Sequence, residues 1–384
     1  MNFLGIDIGA SSTRAISQSG RIGVIPNNAV ILGEDEEVRF NPYDDELESA
    51  LYMKITKSGV SKIFPKRVLY GSMAERHSHV NIRPSVQQAK HMQELSYISV
   101  IAAAATSRIL FEIPENLKLY IAVPPVEVQK AEEAFREELV GQFVVEFPKY
   151  RGGTTVKINV EGIKCKEESV MALASFFFSL DGTIRENSKQ FLTGNVLSAN
   201  IGASTTDLSI AKNGRYLETS GRTIPVGGNI ARDYLIDQIN IEYGFELPLA
   251  DAEKVMAEGR MSLGNSYVDV SKIVSDAKDL LARDIVARMD PYFKSIGIPI
   301  QTLKGIAVSG GGSLRSGYIE NNKKVSTSEP MSEFVTRRLK QLCDTISVVS
   351  YGDEARLADL KGLYIYAQMD ASKEAAKGEE NFKI

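Results

Sequence analysis

Two six-residue stretches of this chain are almost identical: Ile8-Gly9-Ala10-Ser11-Ser12-Thr13 and Ile201-Gly202-Ala203-Ser204-Thr205-Thr206. Glycine lets backbone approach a ligand closely, and successive N–H groups with Ser and Thr hydroxyls can converge on one anion. Such a loop can cradle a phosphate. Each copy follows a short apolar run, Phe3 to Ile6 or Val196 to Ala199. Each continues into a β-rich stretch, Arg14 to Ser17 or Leu208 to Ala211. Turns follow at Ser19-Gly20 and Asn213-Gly214, the second a strong hairpin signal. The pattern predicts strand, Gly/Ser/Thr loop, strand and turn, twice, half a chain apart. One such loop could be only a hairpin. Two in matching positions favour phosphate and predict two domains of one ancestry.

The neighbours of these loops fit that chemistry. Asp7 closes the first apolar run, where a carboxylate is costly to bury unless it is paired, hydrogen-bonded or near a metal. Magnesium or its bound water is the natural partner beside a phosphate loop, with a strand-end turn cap as the plain alternative. Arg14 can reach back as a bidentate donor. Other phosphate motifs fail: the chain has no Gly-x-x-x-x-Gly-Lys-[Ser/Thr], and a dinucleotide fingerprint would lead into a helix rather than a second strand. The short strand Gly305 to Ser309 runs into Gly310-Gly311-Gly312-Ser313, which suggests backbone close to a flat ligand such as a base and ribose. Val226-Gly227-Gly228-Asn229 precedes the helical pattern Ile230 to Ile239 and would aim a helix N-terminus inward.

The elements that position these residues belong to a chain of 384 residues, longer than one core usually organises. Its 43% hydrophobic and 24% charged composition is that of an ordinary globular protein. A net charge of −4 argues against coating nucleic acid by bulk charge. Two cysteines, Cys165 and Cys343, cannot build a disulfide framework, so a cytoplasmic location fits. No apolar run approaches the length of a membrane helix, and no leader or amphipathic anchor precedes Phe3. Helices are predicted over about Lys90 to Leu110 (packing between domains), Glu127 to Leu139, Val274 to Ile296 and Ser332 to Cys343. The histidines are His77, His79 and His91; His77-x-His79 reads as a polar loop rather than a zinc pair. The tail from Met369 is charged and is expected to fray.

In this order, Asp7-Ile8-Gly9 with Arg14, the loop Asn200 to Asp207, Val226-Gly227-Gly228 and Ser309 to Ser313 resemble the motifs of the actin, large heat-shock chaperone and sugar-kinase superfamily. The resemblance covers roughly the whole chain. It implies an α/β fold of two ribonuclease-H-like, actin-like domains with a nucleotide cleft between them. Val68-Leu69-Tyr70-Gly71 before Met73-Ala74, Leu119 to Pro125, and Asp359-Leu360-Lys361-Gly362-Leu363-Tyr364 resemble segments of the bacterial plasmid-segregation actins, the ParM-like branch.

That resemblance implies ATP (or GTP) with Mg2+, filament formation by self-association, slow hydrolysis and a role in moving or segregating plasmid DNA. A DNA-bound adaptor would be the partner, with neither direct nucleic-acid nor membrane contact. It places phosphate contacts on Gly9, Ala10, Ser11, Ser12, Thr13, Arg14, Gly202, Ala203, Ser204 and Thr205. It places nucleoside contacts on Gly228, Glu253, Lys254, Gly310, Gly311, Gly312 and Ser313. Asp7 holds the metal through water and Gln129 orients the hydrolytic water, with Glu132 as the alternative; Asp207 is a further catalytic acid. Asn200 stands where the family has an aspartate, so hydrolysis should be slower or use an altered magnesium shell. The implied domains are 1–182 with a returning helix at about 355–370, and 183–354, followed by a tail at 371–384. A small-molecule kinase on the same fold and a non-polymerising ATP-binding scaffold are the alternatives.

Overall fold

A computed structural model of the chain describes residues 2–34, 36, 50–71, 73–74, 82–85, 88–264, 266–311, 318–320, 323–325 and 329–381. His77, His79, Gly312 and Ser313 lie outside the described residues. The chain divides into two compact units, Met1–Thr183 with Leu360–Ile384, and Ile184–Asp359.

In the first unit the strands are β1 (Phe3–Ile8), β2 (Ser12–Ser17), β3 (Ile22–Pro26), β4 (Ala29–Ile31), β5 (Ala50–Lys57), β6 (Lys66–Gly71), β7 (Asn116–Val123), β8 (Gly141–Phe147) and β9 (Thr154–Glu167). They form one sheet in the order β3-β2-β1-β7-β9-β8-β5-β6-β4. β1 is buried along its whole length, which is why it reads as an unbroken apolar run rather than an alternating one. Helix α1 (Glu94–Phe111) packs on β1, β2 and β9. Helix α2 (Val128–Leu139) lies on β9 through Ala131, Phe135 and Leu139, and α3 (Glu168–Phe177) follows β9 directly.

The second unit repeats the arrangement. Strands β10 (Asn195–Ile201), β11 (Thr206–Lys212), β12 (Arg215–Tyr216) and β13 (Arg222–Ile224) are followed by the hairpin β14 (Arg260–Leu263) and β15 (Ser266–Asp269). Strand β16 (Leu303–Ser309), the pair β17 (Tyr318–Glu320) and β18 (Lys323–Val325), and β19 (Ser347–Ser350) complete it. The main sheet runs β12-β11-β10-β16-β19, with β13 on β11. Helices α4 (Asn229–Tyr243), α5 (Leu249–Glu258), α6 (Ser271–Ile296) and α7 (Met331–Lys340) pack together around Leu235, Val274, Leu281 and Val335.

The duplication read from six residues extends through four strands. β1 pairs antiparallel with β2 and parallel with β7, and β7 pairs parallel with β9. β10 pairs antiparallel with β11 and parallel with β16, and β16 pairs parallel with β19. Register matches as well: Asp7 faces Arg14 and Ala122, and Asn200 faces Asp207 and Ser309.

Two expectations change. α1 is long and apolar enough to cross a membrane, contrary to the reading of apolar runs, because its isoleucines, valine, leucines and alanines outweigh the interspersed polar residues. It is a core helix of the first unit, with Ala102 to Ala105 buried against that unit's sheet. The tail does not end its helix near residue 370: α8 (Ala358–Asn381) continues through an Ala-, Glu- and Lys-rich stretch with strong helix propensity.

α8 is tied to the first unit's sheet by Asp370. Its carboxylate accepts from Lys164 Nζ at 2.6 Å and from the Tyr120 hydroxyl at 2.6 Å, with Lys118 Nζ at 3.4 Å. Burial pushes this carboxyl up, but the Lys164 and Tyr120 hydrogen bonds and the two lysine charges outweigh it and hold it at about 2. A depressed carboxyl contributes stability above its unfolded value and loses it as pH falls toward the folded one. Asp370→Asn should therefore lower stability by about 1–2 kcal/mol at neutral pH. The gap to wild type should close as pH falls from about 4 to 2 in urea titrations, and a gap independent of pH would contradict the clasp.

Candidate functional site

Both repeated loops fold as tight hairpins. Gly9 N–H donates to Ser12 O at 3.0 Å, and Gly202 N–H donates to Thr205 O at 2.8 Å. Among the described residues the backbone amides of Ala10 and Ser11 have no acceptor in the chain, nor do those of Ala203 and Ser204. Space favours glycine at both positions: a Cβ on Gly9 would lie 2.9 Å from both Arg14 Nη2 and Ser12 O. A Cβ on Gly202 would lie 3.1 Å from Thr205 O.

Asp7 and Asn200 lie within strands, next to the loops. Asp7 is 1% exposed, and its Oδ2 sits 2.9 Å from Arg14 Nη2. The pair is close but not aligned as a hydrogen bond, so Oδ2 is a buried carboxylate oxygen with charge compensation and no hydrogen bond. In the second copy the charges differ. Asn200 replaces the acid and Asp207 replaces the arginine, both nearly fully buried. Asn200 Oδ1 accepts from Ser309 Oγ at 3.4 Å, and Thr223 Oγ1 donates to Asp207 Oδ1.

The segment before α4 braces the second hairpin. Gly228 N–H donates to Gly202 O at 2.9 Å, Asn229 N–H to Ala203 O at 2.6 Å, and Asn229 Nδ2 to Ser204 Oγ at 2.9 Å. Thr206 Oγ1 donates to Val226 O at 2.7 Å. Gly227 is the stricter requirement, since its Cβ would fall 2.6 Å from the Ser204–Thr205 peptide. Gly310 also touches this hairpin: at φ +93° its Cβ would lie 2.3 Å from Ile201 O and 2.5 Å from Asn200 Oδ1. Gly311 faces open space.

At the carboxyl ends of parallel β1, β7 and β9 a second charged group stands beside Asp7 and Arg14. Such strand ends are the ligand-binding edge of open α/β sheets. Lys90 Nζ is ion-paired with Glu168 Oε1 and lies 3.5 Å from Ala122 O, while Lys90 N–H donates to Glu127 Oε2 at 2.7 Å. Glu168 is the first residue of α3. Burial raises its pKa, Lys90 pulls it back, and the nearby Asp7 and Arg14 charges act in opposite directions.

The other predicted residues fall elsewhere. Gln129 is exposed on α2, and its amide donates to Glu133 at 3.4 Å. Glu132 Oε2 accepts from Cys165 N–H at 2.9 Å, a bond that seats α2 on β9. Glu253 and Lys254 are exposed on α5, where Glu253 lies 3.6 Å from Arg356. Sequence reasoning missed Glu168 and Lys90. A Glu-Glu pair ending a β-rich run and opening a helix was the available signal for Glu168.

Each hairpin by itself offers unbonded amides of the kind that hold phosphate oxygens, and in the first unit Asp7 adds a buried oxygen lacking a hydrogen bond, which suits a hard cation. Among the described residues there is no group of three or more His, Cys, Asp and Glu that could hold a metal ion. The Asn200 position has a testable consequence. Asn200→Asp would set two carboxylates directly opposite each other with Asp207, a destabilising pair on one strand face. It should lower the melting temperature without magnesium and recover it with Mg·ATP; calorimetry showing the same shift in both conditions would contradict a cation there.

The fold is that of actin-like proteins. Residues 5–170 match the family model described as the actin-like proteins N-terminal domain. Similar solved structures include the actin-like protein Alp7A, at 16% identity, 98% coverage of each chain and a TM-score of 0.72. An archaeal actin homolog has 16% identity, covers 96% of this chain and 100% of its own, with a TM-score of 0.70. Bacillus thuringiensis ParM with ATP has 16% identity, covers 97% and 99%, with a TM-score of 0.68. No curated protein sequence matches the chain.

Proposed function

We propose that this chain binds ATP with Mg2+, hydrolyses it slowly and assembles into filaments. The observation that carries this reading is the pair of hairpins of matching register with unbonded amides, one beside the buried Asp7 oxygen. The similarly folded B. thuringiensis ParM has been solved with ATP, AMPPNP and ADP, which supports an adenine nucleotide over other polyphosphates.

The first hairpin, through Ala10, Ser11 and Ser12, and the second, through Ala203, Ser204 and Thr205, hold phosphate oxygens by their amides and hydroxyls. Arg14 adds charge to the first, and Asp7 holds magnesium through water. Gly311, which faces open space, leaves room for the nucleoside, while Gly310 seats its backbone against Ile201 and Asn200. When bound, magnesium neutralises developing phosphate charge. Glu168 is the group we assign to the attacking water, replacing Gln129: it is buried within the electrostatic field of Asp7 and Arg14, whereas Gln129 faces solvent. Lys90 pairs with that carboxylate, orients it and opposes part of the effect of burial.

The net charge of −4 gives no bulk attraction for DNA, so plasmid cargo would be reached through a DNA-bound adaptor. Plasmid retention in dividing cells should fall with Asp7→Ala, and unchanged retention would remove the cargo reading. Nucleotide binding is tested by calorimetric titration of ATP with and without magnesium. Magnesium-dependent heat that weakens in Asp7→Ala is the expected result, and no heat with wild type would overturn the reading.

A further inference from the structure

The first hairpin is held from beneath by a side chain that no phosphate motif includes. Asn27 is 3% exposed. Its Nδ2 donates to Gly9 O at 2.6 Å, and its backbone N–H donates to Ser11 O at 3.0 Å. Its Oδ1 accepts from the Tyr70 hydroxyl at 2.9 Å and lies 2.8 Å from Ser99 Oγ. Tyr70 Oη in turn lies 3.0 Å from Thr13 Oγ1, with Tyr70, Ser99 and Thr13 all fully buried. The hydroxyl protons can run in one direction, Thr13 to Tyr70 to Asn27, while Asn27 Nδ2 donates onward to Gly9. The circuit begins and ends on the hairpin.

This wiring has a directional effect. In a trans peptide the N–H of residue i+1 points opposite to the C=O of residue i. With the Gly9 and Ser11 carbonyls drawn toward Asn27, the amides of Ala10 and Ser12 are turned the other way. The second hairpin reaches the same result by different chemistry, its Gly202 carbonyl being taken by the Gly228 backbone amide at 2.9 Å. Pinning of the glycine carbonyl is thus shared by both copies although the residues supplying it are unrelated. Burying four polar side chains for it is expensive where apolar ones would pack without desolvation.

We propose that Asn27, oriented by Tyr70 and Ser99, is a positioning residue that sets the peptide planes of the first phosphate hairpin; this rests on the hairpin's reading as a phosphate site. The test is competition of ATP and of adenosine against a fluorescent ATP analogue on the full chain, with thermal unfolding of each variant measured alongside. Asn27→Leu should weaken ATP by about tenfold or more and leave adenosine unchanged, because the brace acts only where phosphates sit. Tyr70→Phe, which keeps the ring and removes only the hydroxyl, should weaken ATP by about threefold with the same selectivity, and it tests the circuit even where Asn27→Leu does not fold. ATP affinity unchanged in folded variants, or ATP and adenosine falling together, would overturn the brace while wild-type binding leaves the phosphate reading intact. A wild-type chain that binds no ATP would overturn both.

Discussion

Glu168→Gln is expected to lower ATP turnover by about 10²-fold or more while leaving ATP affinity within about threefold. The substitution keeps the shape of the side chain and an oxygen that can still accept from Lys90. It removes the charge that would orient a water and take its proton. A positioned acid–base group typically contributes about 10²- to 10⁴-fold, so its loss should dominate the kinetics. Burial raises the Glu168 pKa, so its ionised form is lost at a higher pH than an ordinary glutamate's. Turnover should accordingly fall on an acid limb lying above the usual carboxylate range, and that limb should vanish in the variant. Gln129→Ala is the matched control and should turn over like wild type, because its amide is engaged with Glu133 on an exposed surface. Phosphate-release assays that reverse this order, with Gln129→Ala slow and Glu168→Gln normal, would refute the assignment.

The second large effect is structural. Gly362 lies in α8 where that helix meets α3, and a Cβ there would fall 1.7 Å from Met171 O and 2.4 Å from Met171 C. Both atoms are backbone, so no rotamer change relieves the overlap. Gly362→Ala should therefore cost about 3 kcal/mol or more, at the upper end of overpacking losses. That corresponds to a melting temperature lower by roughly 10 °C. The same position gives a physical reason for the glycine in Asp359-Leu360-Lys361-Gly362-Leu363-Tyr364: two helix backbones touch there. A variant as stable as wild type would show that α8 does not seat against α3 in this way.

Much of the first-order architecture was legible because it is written in local chemistry. The repeated Ile-Gly-Ala-Ser pattern gave both hairpins, and Asn213-Gly214 gave a turn whose residues both adopt positive φ, 51° and 70°. Residues joined only by sheet pairing were hidden. Glu168 lies far along the chain from Asp7, and only the parallel register of β1, β7 and β9 brings their strand ends together. Asn27 and Tyr70 belong to no motif, and their roles come from the hydrogen bonds that fill a buried space under the loop. At α1 the run Ala102 to Ala105 gave a helix without saying what it packs on, and its small side chains lie buried against the first unit's own sheet. In the opposite sense, an Ala-, Glu- and Lys-rich tail was read for its charge when its helix propensity governs.

The most direct test of the account is 90-degree light scattering of the full chain after adding ATP and magnesium, with phosphate release followed in the same sample. Scattering that rises above a critical protein concentration, with phosphate released slowly afterwards, is the predicted result. Scattering that stays flat with ATP at every concentration up to tens of micromolar would contradict nucleotide-driven assembly.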